Sequence, residues 1–261
     1  MIAAVRIARI AHPEGVAFAA VEAGPGDELI VAEIAEHPFG PIRFTGRRWP
    51  LADVRLLAPI LPTKIVCVGK NYADHAKEMG GEPPDAPVIF MKPSTSVVGP
   101  NAAIKLPPDS VRVDFEGELA LVIGTVCRDV SPARAAQVIL GYTIANDVTA
   151  RDQQLADGQW TRAKSHDTFC PLGPWVDTGV DPSDLALHTE LDGQLRQDSR
   201  TSLLVHGVGA LIVWISAVMT LLPGDVILTG TPAGVGPMVA GQLVSVTIEG
   251  IGTLSNPVEA R

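Results

Sequence analysis

Two carboxylates interrupt a run of strand-forming residues in "VDFEGELALVIG", residues 113–124. Side chains of a β-strand alternate between its two faces, so Glu116 and Glu118 would point the same way, about 7 Å apart. Like charges side by side repel each other and are costly to bury. A divalent cation between the carboxylates would remove both costs, and a solvated strand face would avoid them; the pair alone leaves both interpretations open.

A third carboxylate, Asp147, ends a predicted strand in "GYTIANDVTARDQQ", residues 141–154, where Thr149 is expected to begin a helix. Oxygen ligands without His or Cys favour Mg²⁺, Mn²⁺ or Ca²⁺ over zinc. Three carboxylates leave coordination positions open to water and substrate. Glu116, Glu118 and Asp147 therefore predict a catalytic rather than a structural metal site.

A histidine and a glutamate form a second candidate group in "ADHAKE". His75 and Glu78 lie three residues apart on a predicted helix, so they share a face and can hydrogen-bond. The carboxylate would fix the imidazole tautomer and raise its basicity, so that His75 could deprotonate a water. An exposed helix pair without a task is the alternative. The Pro-rich stretch "GGEPPDAP", residues 80–87, follows and could act as a lid.

Composition restricts the class of protein. The chain has 261 residues, 46% apolar and 19% charged, so it can bury a sizeable core and is not expected to be disordered. The net charge of -9 argues against nucleic acid or an anionic membrane surface as a partner. Cys67, Cys127 and Cys170 are an odd number without paired spacing, which predicts buried thiols in a reducing compartment and a cytoplasmic protein.

One segment, residues 203–222, is long and apolar enough to resemble a membrane span. His206 interrupts it, and "PGD", residues 223–225, leads directly into the predicted strand "VILTG". We therefore expect a buried helix from about Val208 to Leu221 and no association with a membrane.

Short strands separated by Pro and Gly turns are expected in "AAVRIARI", "GVAFAAVE" and "ELIVAEIAE". Pro59 and Pro62 then indicate a joint, so the sequence predicts a small N-terminal module over residues 1–60 and a catalytic domain over residues 61–261. In the second part, helices are predicted at 72–79, 131–139, 149–157 and 208–221, and strands at 64–69, 88–91, 114–124, 140–146, 186–192, 225–229 and 242–249. This spacing favours a mixed, mostly-β fold over the regular alternation of a Rossmann fold.

A glycine-rich stretch, "ILTGTPAGVGP" at residues 227–237, follows a predicted strand as in dinucleotide-binding proteins. That fingerprint requires a helix next, but "GQLVSVTIEG" alternates like another strand. The sequence therefore argues against a dinucleotide site and leaves a tight loop whose backbone amides could approach a ligand.

Six motifs in unbroken order resemble the fumarylacetoacetate hydrolase family over about residues 60–257: "VGKNYADHAKEM", "PVIFMKPSTSVVGP", "VDFEGELALVIG", "GYTIANDVTARDQQ", "WTRAKSHDTFCPLGPW" and "PGDVILTGTPAGVGP". The resemblance implies a mixed β-roll fold, a Mg²⁺ or Mn²⁺ site and a homodimer. It also implies a substrate among 2-oxo acids and related dicarbonyls, on which family members act as hydrolases, decarboxylases, isomerases or hydratases.

Carried over position by position, the resemblance implies roles for nine residues: Glu116, Glu118 and Asp147 as metal ligands, Lys164 as the active-site lysine, Arg151 and Gln154 on the substrate side, Thr231 at the substrate carboxylate, and His75 with Glu78 as the His–Glu pair of hydrolases and decarboxylases. The chain departs from the family pattern at Leu203 and at His206–Gly207, which concerns substrate range or packing and not the metal.

Other polar and aromatic residues near these motifs point less clearly to one role. Lys92 and Ser94 could line the pocket or shape a turn, and Tyr72 could form a pocket wall. Trp160 and Trp175 are expected in the core or an interface, and His166 is expected to be structural.

The expected reaction is cleavage of a C–C bond in a small 2-oxo acid, by acylpyruvate hydrolysis or oxaloacetate decarboxylation. Such an acid can chelate the cation through its carboxylate and keto oxygens, so that the enolate left by cleavage stays metal-bound. Lys164 would add a positive charge near the same oxygen. Two alternatives stay open: isomerisation of 2-hydroxyhepta-2,4-diene-1,7-dioate in aromatic catabolism, which would not demand the His–Glu pair, and a non-catalytic metal-binding scaffold.

Overall fold

The N-terminal strands build one wing of a large sheet. The computed structural model describes residues 4–24, 26 and 28–261, so residues 1–3, 25 and 27 of the predicted N-terminal module, with the first residue of "AAVRIARI", lie outside the described residues. The first five strands are β1 (Arg6–His12), β2 (Gly15–Ala23), β3 (Leu29–Ile34), β4 (Phe44–Pro50) and β5 (Arg55–Leu57). Strands β1 to β4 pair in order and antiparallel, and β5 adds to β1.

The rest of the chain adds fifteen strands and four α-helices. The strands are β6 (Ile65–Gly69), β7 (Val88–Lys92), β8 (Val97–Val98), β9 (Ile104–Leu106), β10 (Val113–Phe115), β11 (Gly117–Ile123), β12 (Ile139–Asn146), β13 (Thr149–Ala150), β14 (Cys170–Asp177), β15 (Ala186–Leu191), β16 (Gln194–Arg200), β17 (Val226–Leu228), β18 (Gly236–Pro237), β19 (Leu243–Ile248) and β20 (Gly252–Ala260). The helices are α1 (Ala73–Glu78), α2 (Arg151–Asp157), α3 (Thr161–Lys164) and α4 (Val208–Val218), and 3₁₀ turns occupy Leu51–Asp53, Ser94–Ser96, Pro132–Val138 and Thr201–Leu203.

These strands form three sheets, which confirms the mixed, mostly-β fold. The large sheet has twelve strands in the order β4-β3-β2-β1-β14-β12-β11-β17-β6-β7, with β5 on β1 and β8 on β14. A five-stranded sheet runs β16-β15-β19-β20-β9, and a three-stranded one runs β13-β10-β18. Because β1 pairs with β14, the N-terminal strands continue the sheet of the second part of the chain.

Strand β11 lies at the centre of the core, which explains its apolar run. All seven of its residues are buried. Leu119 and Leu121 pack in a cluster with residues of the five-stranded sheet and of α4, whereas Ala120 and Val122 face a second cluster on the other side of the large sheet. A strand covered on both faces has little need of polar alternation.

The predicted strand over residues 114–124 is wrong in one respect, because it is two strands that break at Glu116. The Glu116 N–H donates to Asn146 Oδ1 (2.9 Å), and the Glu116 carbonyl accepts from the Asp147 N–H (2.9 Å). These bonds bind Glu116 to the turn after β12, so that β10 leaves for the three-stranded sheet while β11 joins the large one. The break itself therefore positions the first carboxylate.

Two predicted helices also need correction. Residues 131–139 form a 3₁₀ helix, Pro132–Val138, and not an α-helix, because β12 begins at Ile139 and leaves no room for longer turns. The helix expected at 149–157 begins at Arg151, because Thr149–Ala150 is strand β13 and pairs with β10.

Helix α4 is shorter and less buried than expected for 208–221. It ends at Val218, because Leu221 exchanges backbone hydrogen bonds with Cys127 (2.9 and 3.0 Å). One face, with Leu211 and Ile215, is buried, whereas Trp214 is 44% exposed. Among the described residues, no helix combines the length and the apolar character that a membrane span requires.

The three cysteines are free and buried, as predicted. Burial raises the pKa of each thiol, to about 12 for Cys170. A buried thiol with a raised pKa is a poor nucleophile, so the cysteines serve packing.

Candidate metal centre and active site

The three carboxylates predicted as metal ligands converge where β10, β11 and β12 meet. Glu116 occupies the break before β11, Glu118 is the second residue of β11, and Asp147 follows β12 directly. Pairing of β11 with β12 places Gly117 opposite Asn146 and so brings the flanking carboxylates together. One oxygen of each of the three lies within 4.8 Å of the others, and each residue is at most 4% exposed.

Two of these carboxylates have close cationic partners. The ammonium of Lys164 donates to Glu116 Oε2 (2.9 Å) and to Asp147 Oδ2 (2.6 Å). The ammonium of Lys92 donates to Asp147 Oδ1 (2.6 Å), and Arg151 Nη2 lies 2.5 Å from Glu116 Oε1. Glu116 and Asp147 therefore have cations on both of their oxygens.

Glu118 differs from the other two. Its Oε2 accepts a hydrogen bond from the Gly230 N–H (2.6 Å). Burial, together with the charges of Asp147 and Glu116, raises the pKa of Glu118 well above its ordinary value. By contrast, although burial raises the pKa of Glu116, the charges of Lys164 and Arg151 lower it overall. Glu118 is thus the carboxylate whose negative charge the protein compensates least.

This arrangement fits a divalent cation. Three carboxylate oxygens and no thiolate or imidazole make a hard donor set of the kind that Mg²⁺ and Mn²⁺ prefer. A cation at that point would supply the positive charge that Glu118 lacks. Glu116, Glu118 and Asp147 are therefore the residues that would hold the metal.

Both lysines beside the carboxylates are buried and hydrogen-bonded. Although burial lowers the pKa of Lys164, Asp147 and Glu116 raise it above the ordinary value, which favours the ammonium form. The sequence left two roles open for Lys92, one in the pocket lining and one in a turn. Its side chain is 1% exposed and also donates to the Val148 carbonyl (3.1 Å). Ser94 lies exposed in the 3₁₀ turn that follows.

The His–Glu pair is present on α1. Nδ1 of His75 lies 3.0 Å from Glu78 Oε2, and Glu78 Oε1 accepts from the Gly234 N–H (3.0 Å). His75 is 6% exposed and faces the same cavity as the carboxylates. The loop after β17 therefore contacts both groups, through Gly230 at Glu118 and through Gly234 at Glu78.

Eight of the nine predicted site residues line one cavity of about 180 Å³. The ninth, Glu78, does not line it but hydrogen-bonds His75, which does. Its walls are Val68, Gly69, Lys70, His75, Met79, Phe90, Glu116, Glu118, Asp147, Arg151, Gln154, Leu155, Trp160, Lys164 and Thr231. Arg151 donates to Gln154 Oε1 (2.9 Å) and to Asp114 Oδ2 (2.8 Å), so its guanidinium orients Gln154 within the wall.

The aromatic residues divide between wall and core. Trp160, expected in the core or an interface, lines the cavity and meets the edge of Phe90 with ring centroids 5.1 Å apart. Trp175 is 8% exposed and belongs to the core. Tyr72, expected in the pocket wall, lies outside the cavity lining at 1% exposure, and burial raises the pKa of its hydroxyl. His166 bonds Gln153 (2.7 Å), in keeping with a structural role.

Sequence reasoning missed three polar groups that support the site. Asn71, fully buried, bonds the backbone of His206 and the Thr229 carbonyl, which fixes the chain just before α1. Asp114 pairs with Arg151, and Gln197 contacts the loop that holds Thr231. Asp114 could have been recognised as a buried polar residue within a strand. The partners of Asn71 and Gln197 lie far away along the chain, so the local sequence does not reveal them.

Two family models match the chain. The model described as "Fumarylacetoacetate (FAA) hydrolase C-terminal" matches residues 64–259, and "Rv2993c-like, N-terminal" matches residues 5–59. Protein Rv2993c of Mycobacterium tuberculosis is 65% identical over 258 residues, which cover 97% of each chain. Oxaloacetate tautomerase fahd2, mitochondrial, of Xenopus laevis is 44% identical over 220 residues, covering 79% of this chain and 69% of the relative.

Solved structures share the fold along nearly the whole chain. A 5-carboxymethyl-2-hydroxymuconate delta-isomerase from Mycobacterium smegmatis is 64% identical, with a TM-score of 0.93 over 98% of this chain and 100% of the other. A maleylpyruvate hydrolase from Sphingobium sp. SYK-6, in complex with manganese (II) ion and pyruvate, is 31% identical, with a TM-score of 0.77 over 98% and 99%. Similar chains are thus described as isomerase, tautomerase and hydrolase.

Proposed function

Because the chain belongs to the fumarylacetoacetate hydrolase family, we propose that it is a divalent-metal-dependent enzyme that cleaves a C–C bond in a small 2-oxo acid. The reaction would be acylpyruvate hydrolysis or oxaloacetate decarboxylation. The observation that carries the proposal is the single cavity in which three buried carboxylates, a charged lysine and a hydrogen-bonded His–Glu pair meet.

The proposed cofactor is Mg²⁺ or Mn²⁺, held by Glu116, Glu118 and Asp147. When bound, the cation would act as a Lewis acid toward the oxygens of a chelating 2-oxo acid. The manganese (II) and pyruvate of the related maleylpyruvate hydrolase support both the metal and the substrate class.

In hydrolysis, His75 would take a proton from a water while Glu78 holds its other ring nitrogen. The water oxygen bonds to the distal carbonyl carbon, the C3–C4 bond breaks with its electron pair passing to C3, and the proton held by His75 returns to C3. Decarboxylation requires no water, because CO₂ leaves and C3 alone must be protonated. The ammonium of Lys164 would stabilise the negative charge in both reactions.

The remaining polar walls would orient the substrate. Gln154 presents an amide that Arg151 fixes in place, and Thr231 borders the cavity from the loop after β17. Phe90 and Trp160 form an apolar side of the cavity.

A second candidate function, isomerisation or tautomerisation, is favoured by the descriptions of the Mycobacterium smegmatis and Xenopus laevis proteins. Both reactions move a proton between carbon and oxygen and break no C–C bond. They would include the 2-hydroxyhepta-2,4-diene-1,7-dioate reaction of aromatic catabolism, and an activated water would not be required.

The deciding experiment is a steady-state assay with Mg²⁺ or Mn²⁺ against acetylpyruvate, oxaloacetate and 2-hydroxyhepta-2,4-diene-1,7-dioate in parallel. We expect turnover of one of the first two, abolished by EDTA and lowered at least about a hundredfold by His75→Ala. The exposed His188 supplies a matched control, and His188→Ala should leave turnover unchanged. Isomerisation alone, insensitive to His75→Ala, would overturn the cleavage reading.

A non-catalytic scaffold is the alternative of another class. A thermal melt separates it from an enzyme: Mn²⁺ alone would stabilise a scaffold, whereas a chelating active site gains further, metal-dependent stability from oxalate. Absence of that second gain, together with absence of turnover, would favour the scaffold.

We further propose that the enzyme is a cytoplasmic homodimer with a small-molecule substrate and no nucleic-acid or membrane partner. We also propose that residues 1–60 are a small N-terminal module, which the pairing of β1 with β14 joins to the catalytic domain. The net charge of -9 supports the exclusion of nucleic acid. Light scattering on the purified chain would test the dimer, and expression of residues 61–261 alone would test the module.

A further inference from the structure

One lysine in the cavity wall has no carboxylate partner in the described part of the chain. Of the six lysines in the sequence, four form ion pairs there: Lys64, Lys92, Lys105 and Lys164. Lys70 and Lys77 form none among the described residues. Lys77 is exposed on α1 and lies outside the cavity lining, whereas Lys70 lines the cavity. Lys70 therefore adds to the cavity a positive charge that these residues do not pair.

The backbone of Lys70 lies in the left-handed region. Its φ is 56°, in the turn between the end of β6 at Gly69 and the start of α1. This conformation is sterically unfavourable for a residue with a Cβ and is easy for glycine. The turn would thus be less strained with glycine at position 70. A lysine at such a position points to a task of its side chain and not to a need of the backbone.

The Lys70 ammonium lies between the cavity and the Pro-rich loop, residues 80–87. Lys70 is half-buried, and its Nζ lies 3.6 Å from the position that a Cβ on Gly81 would take. The carboxylate of Glu78 on α1 already uses both oxygens, one with His75 and one with the Gly234 N–H. A half-buried ammonium attracts an anion more strongly than one in bulk water. An anion that enters the cavity from solvent could therefore pair with Lys70.

We propose that Lys70 is a specificity-determining residue that binds a distal carboxylate of the substrate, so that the site prefers 2-oxo dicarboxylic acids over 2-oxo acids with an apolar end. The inference rests on the proposed function, in which the metal binds the 2-oxo acid end. Lys92, Lys164 and Arg151 already pair with carboxylates of the site. Lys70 is left for a second anionic group, with which an ammonium forms a charge-assisted hydrogen bond.

Apolar residues of the same wall define the competing outcome. Leu155 is 82% exposed and Met79 is 37% exposed, and both line the cavity. They would favour a substrate with an apolar end, because its binding would remove apolar surface from water. The two preferences have opposite signs, so matched pairs of ligands decide between them.

The first pair of ligands is 2-oxoglutarate with 2-oxopentanoate, and the second is 2-oxoadipate with 2-oxohexanoate. Within a pair the carbon number is the same, and only the far end differs, carboxylate against methyl. None has a carbonyl or a carboxylate at C4, so the proposed cleavage cannot consume them. Their affinities for the Mn²⁺-loaded protein would be measured by calorimetry. We expect the wild type to prefer the dicarboxylate of at least one pair about tenfold, and the preference to fall as the salt concentration rises.

Four variants assign the preference to one side chain. Lys70→Met removes the charge, keeps most of the stem and should abolish most of the preference, whereas Lys70→Arg should retain it. Lys77→Met removes the charge of the other unpaired lysine and is the matched control, which should leave the preference unchanged. Lys70→Gly should also lose the preference, yet melt no lower than the wild type in EDTA, because glycine adopts this backbone conformation without strain. It serves if the Met variant does not fold.

The outcomes distinguish this inference from the proposed function. Oxalate, which chelates a metal without a distal group, is the reference ligand. If the wild type binds oxalate but prefers the dicarboxylate of neither pair, the inference alone is overturned. The same holds if Lys70→Met and Lys77→Met lower the preference equally, since the effect would then be one of overall charge. If the Mn²⁺-loaded wild type binds neither oxalate nor any of the four acids, the proposed function fails, and this inference fails with it.

Discussion

Buried carboxylates occur in two different settings in this molecule. Asp225 is fully buried and accepts from Thr63 Oγ1 (2.5 Å), from the Leu222 N–H (2.7 Å), and from both the backbone and the ammonium of Lys64. Glu118 is 1% exposed and, among the described residues, accepts a hydrogen bond from Gly230 alone. Asp225 and Glu118 are thus equally buried, but protein donors compensate the negative charge of Asp225 far more fully than that of Glu118.

This difference distinguishes a structural carboxylate, Asp225, from a candidate functional one, Glu118. Each oxygen of Asp225 has protein donors, so the side chain joins β17 to the start of β6 and has no capacity left for a ligand. Glu118 opens onto a cavity beside two other carboxylates, and burial together with the charges of Asp147 and Glu116 raises its pKa. An uncompensated buried acid is costly and indicates a site whose partner comes from outside the chain.

The largest expected effect follows from removing the charge of Glu118. Glu118→Gln should lower metal-dependent turnover at least about a hundredfold and remove the Mn²⁺-dependent rise in Tm. In EDTA the variant should be no less stable than the wild type, because the substitution relieves repulsion with Asp147 and Glu116. Turnover and melting curves with and without metal check both halves.

Retained turnover in Glu118→Gln would break the comparison, because Glu118 would then be one more structural acid. A large loss of stability in EDTA would break it too, by showing that the protein already compensates the charge.

Asp225→Asn is expected to act in the opposite way. It leaves Lys64 without its carboxylate, so the free energy of unfolding in EDTA should fall by about 3 kcal/mol. The Mn²⁺-dependent rise in Tm should remain, since Asp225 is not among the residues that line the cavity. Urea unfolding in EDTA measures the first effect, and melting curves with and without Mn²⁺ measure the second. Loss of the metal response would show that the two settings are coupled.

The sequence predicted which side chains meet in the cavity better than how the backbone brings them together. The pairs Glu116–Glu118 and His75–Glu78 follow from local spacing, because strand and helix periodicity act over a few residues, whereas Asp147 is identified by its position at the end of a predicted strand. The break at Glu116 does not follow from local spacing, because it depends on β10 pairing with β13 and β18, which come later in the chain.

Two of the strands missed by sequence reasoning, β14 and β16, contain residues that hide the usual strand pattern, although β16 pairs with the neighbouring β15. Strand β14 contains Pro171, Gly173 and Pro174, which read as a loop, yet β1 and β12 pair with it. Strand β16 buries Gln197 and Ser199 on its inner face, so no apolar alternation marks it. Gln197, on this polar inner face, hydrogen-bonds Thr231. Local sequence patterns therefore could not predict the residues that support the site.

Glu33 is a third buried carboxylate, intermediate in kind between Asp225 and Glu118. We expect its substitution to have the smallest effect on stability. Its side chain is 7% exposed but pairs with Arg47, whose side chain is 46% exposed. The hydrogen bond from Arg47 is the main cause that lowers the pKa of Glu33, against burial, which raises it. A lowered folded-state pKa gives stability that is present above the unfolded-state pKa of about 4.3 and lost as the pH falls through the folded-state value.

Glu33→Gln should therefore lower the Tm by about 2 °C at pH 7, because solvent around Arg47 screens the pair. The difference from the wild type should begin to shrink as the pH falls below the unfolded-state pKa of about 4.3, and it should close below the lowered folded-state pKa. Melting curves in EDTA from pH 7 to pH 3 measure this. A difference that does not shrink at all over this range would mean that Glu33 stabilises by packing and not by charge.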